Sequence, residues 1–332
     1  MTGKHLPIAM TMGEPAGISA EITVKAWREL RISGPLFFAI DVTARFNEFD
    51  VPVETIASPK EASLVFNRAL PILPIAETMR VSLGVPSPGT ASHVVTSIAR
   101  ASEFALNGEA CAIVTNPIQK SVLTETGFSF PGHTEFLADI AAKHTGRVIE
   151  PVMMLAGPEL RTVPVTVHQS VSEAAKTLSS EVIVRKARIV HEALRTRFAL
   201  TTPRLAISGL NPHAGENGTM GTEESDTIAP AISQLQSEGI HAFGPLPADT
   251  LFHDEARNTY DVALCMLHDQ ALIPVKTLDF DRTVNITLGL PFVRTSPDHG
   301  TALDLAGTGR ARPASLIAAL KLAASLSDGR QS

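Results

Sequence analysis

Short apolar runs recur along the chain, separated by stretches with helical spacing, and this alternation most constrains the fold. The runs are LPIAMTM (6–12), PLFFAI (35–40), CAIVT (111–115), VMMLA (152–156), TVPVTV (162–167), RLAISGL (204–210), VALCML (262–267) and VNITLGL (284–290). Strands this continuously apolar need cover on both faces, which a mostly parallel sheet between layers of helices supplies. Helical faces stand between them. Ile18, Ile22, Ala26 and Leu30 share one; Ile183, Ala187, Val190, Leu194 and Phe198 share another. The stretch 133–146 reads as a helix closed by Gly146, and 313–326 as a nearly all-apolar helix behind Pro313, buried in a core or an interface. VMMLA and TVPVTV look like paired strands. The stretch 43–90 is rich in Pro and Ser and weak in pattern.

The chain has 332 residues, which at roughly 150 per domain suggests two domains or one large α/β unit. Hydrophobic residues make up 44% and charged residues 19%, so a sizeable core is within reach. The net charge of −6, without a long basic run, argues against a nucleic-acid partner. No apolar run is long enough to cross a membrane, and LPIAM is too short for a signal-peptide core, so a cytoplasmic protein is expected. Cys111 and Cys265 lie in strand-like runs and read as reduced core residues.

Three histidines share one setting: His168, His213 and His268 each stand just past the C-terminal end of an apolar strand. In open α/β sheets ligands bind at those ends, and three imidazoles there can hold a divalent metal with a position left for substrate. Their spacing is long, so loop histidines held by ordinary hydrogen bonds compete with that reading. Asp269 is a partner for His268 or a helix cap. His133 and Thr134 open a helix, whose exposed N–H groups bind anions; plain capping by Thr134 and Glu135 competes. Lys276, Asn285 and Arg294 flank or follow apolar runs, where cations pair with a carboxylate or phosphate. Gly215, Gly218 and Gly221 do not form a dinucleotide fingerprint, because the order of strand, glycines and helix is wrong. They read as small residues that leave room for a ligand near His213.

GEPAGIS, PGHTEFLA, GLNPHAGENGTMGTEE, GPLPADTLF, MLHDQALIPVK and VNITLGLPFVRTSPDHGTALDLAG together resemble the 4-hydroxythreonine-4-phosphate dehydrogenase family of vitamin B6 biosynthesis. The likeness runs from about residue 7 to about 325. DHGTALDLAGTGRARP is similar to a segment of the isocitrate and isopropylmalate dehydrogenases. The resemblance implies two α/β/α domains with a cleft between them, outside the classical Rossmann fold. The first would take 1–130 with 300–332 and the second 131–299. It implies a homodimer with the active site at the subunit interface. The family's metal ligands fall on His168, His213 and His268, and its substrate-binding residues on His133, Thr134, Lys276, Asn285 and Arg294. By the wider superfamily, His299, Gly300, Thr301 and Asp304 line the adenosine of NAD or NADP, and an acid at Asp304 favours NAD. Lys120 and Asp249 are candidates for the general base. Three neutral imidazoles suit zinc best, then cobalt and nickel; magnesium or manganese would need substrate oxygens.

The implied reaction oxidises 4-phosphohydroxy-L-threonine to a 3-oxo acid that decarboxylates to 3-amino-2-oxopropyl phosphate, on the way to pyridoxine 5'-phosphate. The chain departs from the family at Asn116, Asn217, Ala271 and Ser19-Ala20, and none of these removes a candidate ligand. A related dehydrogenase acting on 4-phospho-D-erythronate, 4-phospho-D-threonate or an aromatic dihydrodiol carboxylate is the nearest rival. A zinc-dependent lyase would need no nicotinamide, and a solute-binding protein would be exported.

Overall fold

In the computed structural model, residues 6–328 are described. Its contacts divide the chain into two units: one runs to Pro151 and resumes at Leu290, and the other is Val152–Gly289. The sequence suggested boundaries near 130 and 300. The physical reason for the difference is packing. Helix His133–Thr145 buries Leu137, Ala138 and Ala141 in the same cluster as Ile98 and Ile113. Strand Val293–Pro297 pairs in register with a strand of the first unit.

The first unit carries β1 (Ile8–Thr11), β2 (Phe37–Val42), β3 (Val53–Thr55), β4 (Leu70–Ala76) and β5 (Ala112–Val114). The strands of the second unit are β6 (Val152–Ala156), β7 (Arg161–Pro164), β8 (Arg204–Ser208), β9 (His241–Leu246), β10 (Val262–Cys265) and β11 (Val284–Leu288). The chain then returns to the first unit with β12 (Val293–Pro297).

The first unit's strand order is β3-β4-β2-β1-β5-β12, parallel at every pairing. Helices Ser19–Leu30, Ala91–Leu106 and Ala314–Asp328 turn apolar faces inward: Ile22 and Ala26, Val94 and Ile98, Leu316 and Leu320 are all buried. The full burial of β1 and β2 explains why their runs read as uninterrupted apolar segments. Thr295 Oγ1 donates to the Ala319 carbonyl (2.9 Å), fastening the last helix to β12.

The second unit's order is β11-β6-β7-β10-β8-β9. The pairs β11–β6 and β6–β7 are antiparallel, and β7–β10, β10–β8 and β8–β9 are parallel. VMMLA and TVPVTV do pair. Leu155, Ala206, Ala263, Cys265 and Val275 cluster in the core, where Tyr260 donates to the Leu251 carbonyl (2.9 Å). Both cysteines are free thiols; Cys265 is buried and Cys111 half-buried. Among the described residues no helix is long and apolar enough to cross a membrane.

Candidate active site

In the first unit, three cationic or imidazole side chains come together from distant parts of the sequence. Arg294 enters from β12, is 4% exposed, and donates to Thr115 Oγ1 at the end of β5 (2.6 Å). His133 opens helix His133–Thr145 after Gly132, whose extended backbone lets the helix start abruptly. Lys120 begins the short helix Lys120–Glu125, and a Cβ on Gly132 would lie 3.5 Å from its Nζ. Burial pushes the His133 imidazole well below its ordinary value of 6.5, and Arg294 and Lys120 push it further. Burial also brings the Arg294 guanidinium down to about 10, against the pull of Asp298 and Glu135. It stays charged at neutral pH. The Nε2 of His133 is buried without a hydrogen-bond partner among the described residues. Half-buried Thr134 adds a hydroxyl at the same helix start. Two cations, a neutral imidazole with an orphaned nitrogen and free helical N–H groups together suit a phosphate.

The depressed imidazole has a consequence for stability. Between the folded and unfolded pKa values His133 is neutral when folded and protonated when unfolded, so the unfolded state binds more protons. Stability is therefore full above about pH 6.5 and falls as pH drops toward the folded value. His133→Gln is expected to flatten that fall by at most about 1.4 kcal/mol per pH unit. Urea unfolding at about pH 7.5 and about pH 5.5 measures it. Equal losses in both proteins would move the acid sensitivity elsewhere, His191 being next, since burial and Arg195 also hold its imidazole down.

In the second unit, His168 and His268 lie with ring centroids 6.1 Å apart. Strands β7 and β10 are neighbours, and just beyond them Thr166 Oγ1 donates to the Met266 carbonyl (2.6 Å), so the residues that follow emerge side by side. His268 begins helix His268–Leu278, and its Nδ1 is 2.8 Å from Asp269 Oδ1, which leaves Nε2 for a ligand. Among the described residues, no group of three His, Cys, Asp or Glu side chains within the chain is disposed to hold a metal ion. Lys276 sits in the last turn of the same helix, its Nζ 5.6 Å from the Phe280 ring centroid. Asn285 is half-buried on β11, and Asp249 is exposed on the turn Ala248–Thr250.

The loop that carries His213 is unusual. Five consecutive residues adopt left-handed backbone: His213 (φ 53°), Ala214 (50°), Gly215 (76°), Glu216 (40°) and Asn217 (56°). For a residue with a side chain this costs about 1–2 kcal/mol, and four of the five have one. Buried Glu224 reaches into the loop. Its Oε1 accepts from the backbone N–H groups of Leu210 and Asn211 (2.8 Å each), and its Oε2 from Asn211 Nδ2 (3.0 Å). Asn211 Nδ2 also donates to Glu223 (2.7 Å). The glycines take on a meaning different from the sequence reading. A Cβ on Gly215 would lie 2.6 Å from Glu224 Oε2, and one on Gly221 would lie 2.5 Å from Asn211 Nδ2. They make room for the loop's own polar plug, while a Cβ on Gly218 would meet Thr222 Cγ2 only at 4.0 Å.

The segment expected to line a cofactor lies in the first unit. Thr301 is buried, and its carbonyl accepts from Ile18 N–H (3.2 Å); a Cβ on Gly17 would meet that carbonyl at 2.6 Å. His299 Nδ1 approaches the Gly300 carbonyl (2.9 Å), and Gly300 and Asp304 are exposed. Nearby Gly307 and Gly309 form one wall of a cavity of about 320 Å³, with Pro15, Gly17, Arg45 and Leu83 among its other linings. Arg45 is held there by Asp41 (2.7 Å) and donates to Ser19 Oγ (2.8 Å). Sequence reasoning gave no role to Glu224, Arg45 or Asp41; even the i,i+4 spacing of Asp41 and Arg45 does not mark a cavity wall.

Comparison with known proteins agrees with this architecture. The chain matches the family of the pyridoxal phosphate biosynthetic protein PdxA over residues 36–323. The 4-hydroxythreonine-4-phosphate dehydrogenase of Methylorubrum populi is 53% identical, over 97% of this chain and 95% of the relative. The crystal structure of the Klebsiella pneumoniae 4-hydroxythreonine-4-phosphate dehydrogenase superposes with a TM-score of 0.86 at 34% identity, covering 97% and 99% of the two chains. A terephthalate 1,2-cis-dihydrodiol dehydrogenase from Burkholderia xenovorans shares the fold, with a TM-score of 0.64 at 24% identity over 97% and 98%. With the match spanning most of its length and half its residues identical to a full-length relative, the chain belongs to the PdxA family of dehydrogenases.

Proposed function

We propose that the chain oxidises 4-phosphohydroxy-L-threonine with NAD or NADP, and that the 3-oxo acid formed loses CO2 to give 3-amino-2-oxopropyl phosphate for pyridoxine 5'-phosphate synthesis. The observation that carries the reading is the buried nitrogen of His133, orphaned between Arg294 and Lys120. A neutral imidazole there donates to a phosphate oxygen without adding a third charge, and the two cations balance a dianion. Thr134 completes the phosphate set. Full-length identity to 4-hydroxythreonine-4-phosphate dehydrogenases supports the amino-acid phosphate over the sugar-acid phosphates and dihydrodiols.

The groups for the reacting end of the substrate are His168, His213 and His268, with Lys276 and Asn285 for its polar substituents. The imidazole pair and the carboxylate behind His268 suit a divalent metal, zinc before cobalt or magnesium. His213 completes the set from a second copy of the chain in a homodimer. A metal ion held there supplies Lewis acidity, lowering the pKa of the substrate hydroxyl and stabilising negative charge on its oxygen. The nicotinamide cofactor, its adenosine lined by His299, Gly300, Thr301 and Asp304, supplies the hydride acceptor. The hydroxyl proton passes to Asp249, since Lys120 serves as a phosphate cation. Asp269 fixes the tautomer of His268, so Asp269→Ala is expected to weaken zinc binding by about 10–100-fold. Competition with a chromophoric chelator reads this out, and unchanged affinity would remove Asp269 from the site.

The test is NADH formation from 4-phosphohydroxy-L-threonine, with and without chelator, beside 4-phospho-D-erythronate and 4-phospho-D-threonate. Chelator-sensitive turnover of the amino-acid phosphate alone is expected. Turnover of the sugar-acid phosphates alone would keep the chemistry and overturn the substrate; no NADH from any would overturn the reading.

A further inference from the structure

The left-handed turn at residues 213–217 is a backbone that its own residues disfavour. A buried carboxylate anchors the residues just ahead of the turn and packs against Gly215. Glu224 takes the N–H groups of Leu210 and Asn211 and the Asn211 amide, while the absence of Cβ atoms at Gly215 and Gly221 lets the backbone close around this plug. The loop is also tied at its base, where Gln270 Nε2 donates to the Gly209 carbonyl (3.1 Å) and Gln270 Oε1 accepts from Leu267 N–H (2.9 Å). That second link joins the loop to the start of the helix that carries His268.

We propose that Glu224 is a positioning residue, which holds residues 210–217 in the strained turn and so presents the His213 imidazole as a metal ligand. This rests on the metal reading of His168, His213 and His268 given above. A ligand on an ordinary loop would lose orientational freedom each time the ion bound. A ligand on a turn already held by Glu224 has lost it on folding, so the ion binds more tightly. Glu224 itself never touches the ion; its carboxylate is occupied by the loop's own donors.

The experiment measures Zn²⁺ affinity by chelator competition on the full chain. It compares wild type, Glu224→Ala, Glu224→Gln, His213→Ala and the Glu224→Ala/His213→Ala double variant. Circular dichroism checks folding, and hydrogen exchange follows the Leu210 and Asn211 amides. Glu224→Ala is expected to weaken zinc binding by about tenfold or more and to speed exchange at both amides. Glu224→Gln keeps one acceptor oxygen and should recover part of the affinity. The double variant should bind no more weakly than His213→Ala, because Glu224 acts only through that imidazole. Wild-type zinc affinity in folded Glu224→Gln and Glu224→Ala, or losses that add fully in the double variant, would overturn the proposal alone. An unchanged affinity in His213→Ala would overturn the metal reading and the proposal with it.

Discussion

Replacing Arg294 with methionine is expected to lower kcat/KM for the phosphorylated substrate by about a thousandfold. A hydrogen bond to a charged group contributes about 1.5–3 kcal/mol, and a guanidinium offers a phosphate two in parallel. Losing both removes roughly 4 kcal/mol, and each 1.4 kcal/mol is a factor of ten. Arg294→Lys should recover only part, since an ammonium cannot reproduce the paired geometry. A second measurement separates charge from shape. Arg294 is among the causes that hold the His133 imidazole down, so its removal should raise the pKa of that ring, readable by NMR. Steady-state kinetics within tenfold of wild type would take the phosphate away from this pocket.

Two inactive proteins should make an active one. His168→Ala and His213→Ala are each expected to abolish chelator-sensitive turnover, because each removes one of three ligands. If the two variants are mixed, dissociated under mild denaturant and reassembled, about half the dimers are mixed, and each mixed dimer regains one intact site of its two. About a quarter of wild-type activity should return. The prediction follows from the pairing of His168 with His268 and from the proposal that His213 is supplied by the second copy. A site completed within one chain would give no recovery on mixing. The same mixture of His168→Ala with His268→Ala should stay inactive, because both lesions then fall on the same side of every site.

The parallel core was legible because strands buried on both faces leave unbroken apolar runs, as β1, β2, β8 and β10 do. Helix Ser180–Thr196 was legible from its stripe, and Gly146 closes helix His133–Thr145 in the left-handed conformation that glycine permits. Strands β3 and β4 escaped notice because β3 is three residues long and β4 carries Pro71 and Pro74, which interrupt the alternation. The cluster of Lys120, His133 and Arg294 was not legible as a cluster. It depends on β12 lying beside β5, a neighbourhood set by pairing between distant segments rather than by local spacing. The glycines after His213 were noticed for the right reason, that side chains are kept away. Gly215 makes room for Glu224 and Gly221 for Asn211, and no spacing rule connects these polar groups to a left-handed turn.

The return of the chain at Leu290 bears on how the molecule is made. A ribosome delivers β1 to β5 first, then the whole second unit, and only afterwards β12 and the helix Ala314–Asp328. Until then the nascent chain presents β5 as an unpaired edge beside a face that the last helix will cover, an invitation to wrong partners. Arg294 arrives with that same late strand, so the proposed phosphate site is incomplete until the sheet is closed. The pairing of that strand with β5 thus closes the sheet in one late event, and a chain stalled short of it keeps an open, sticky edge.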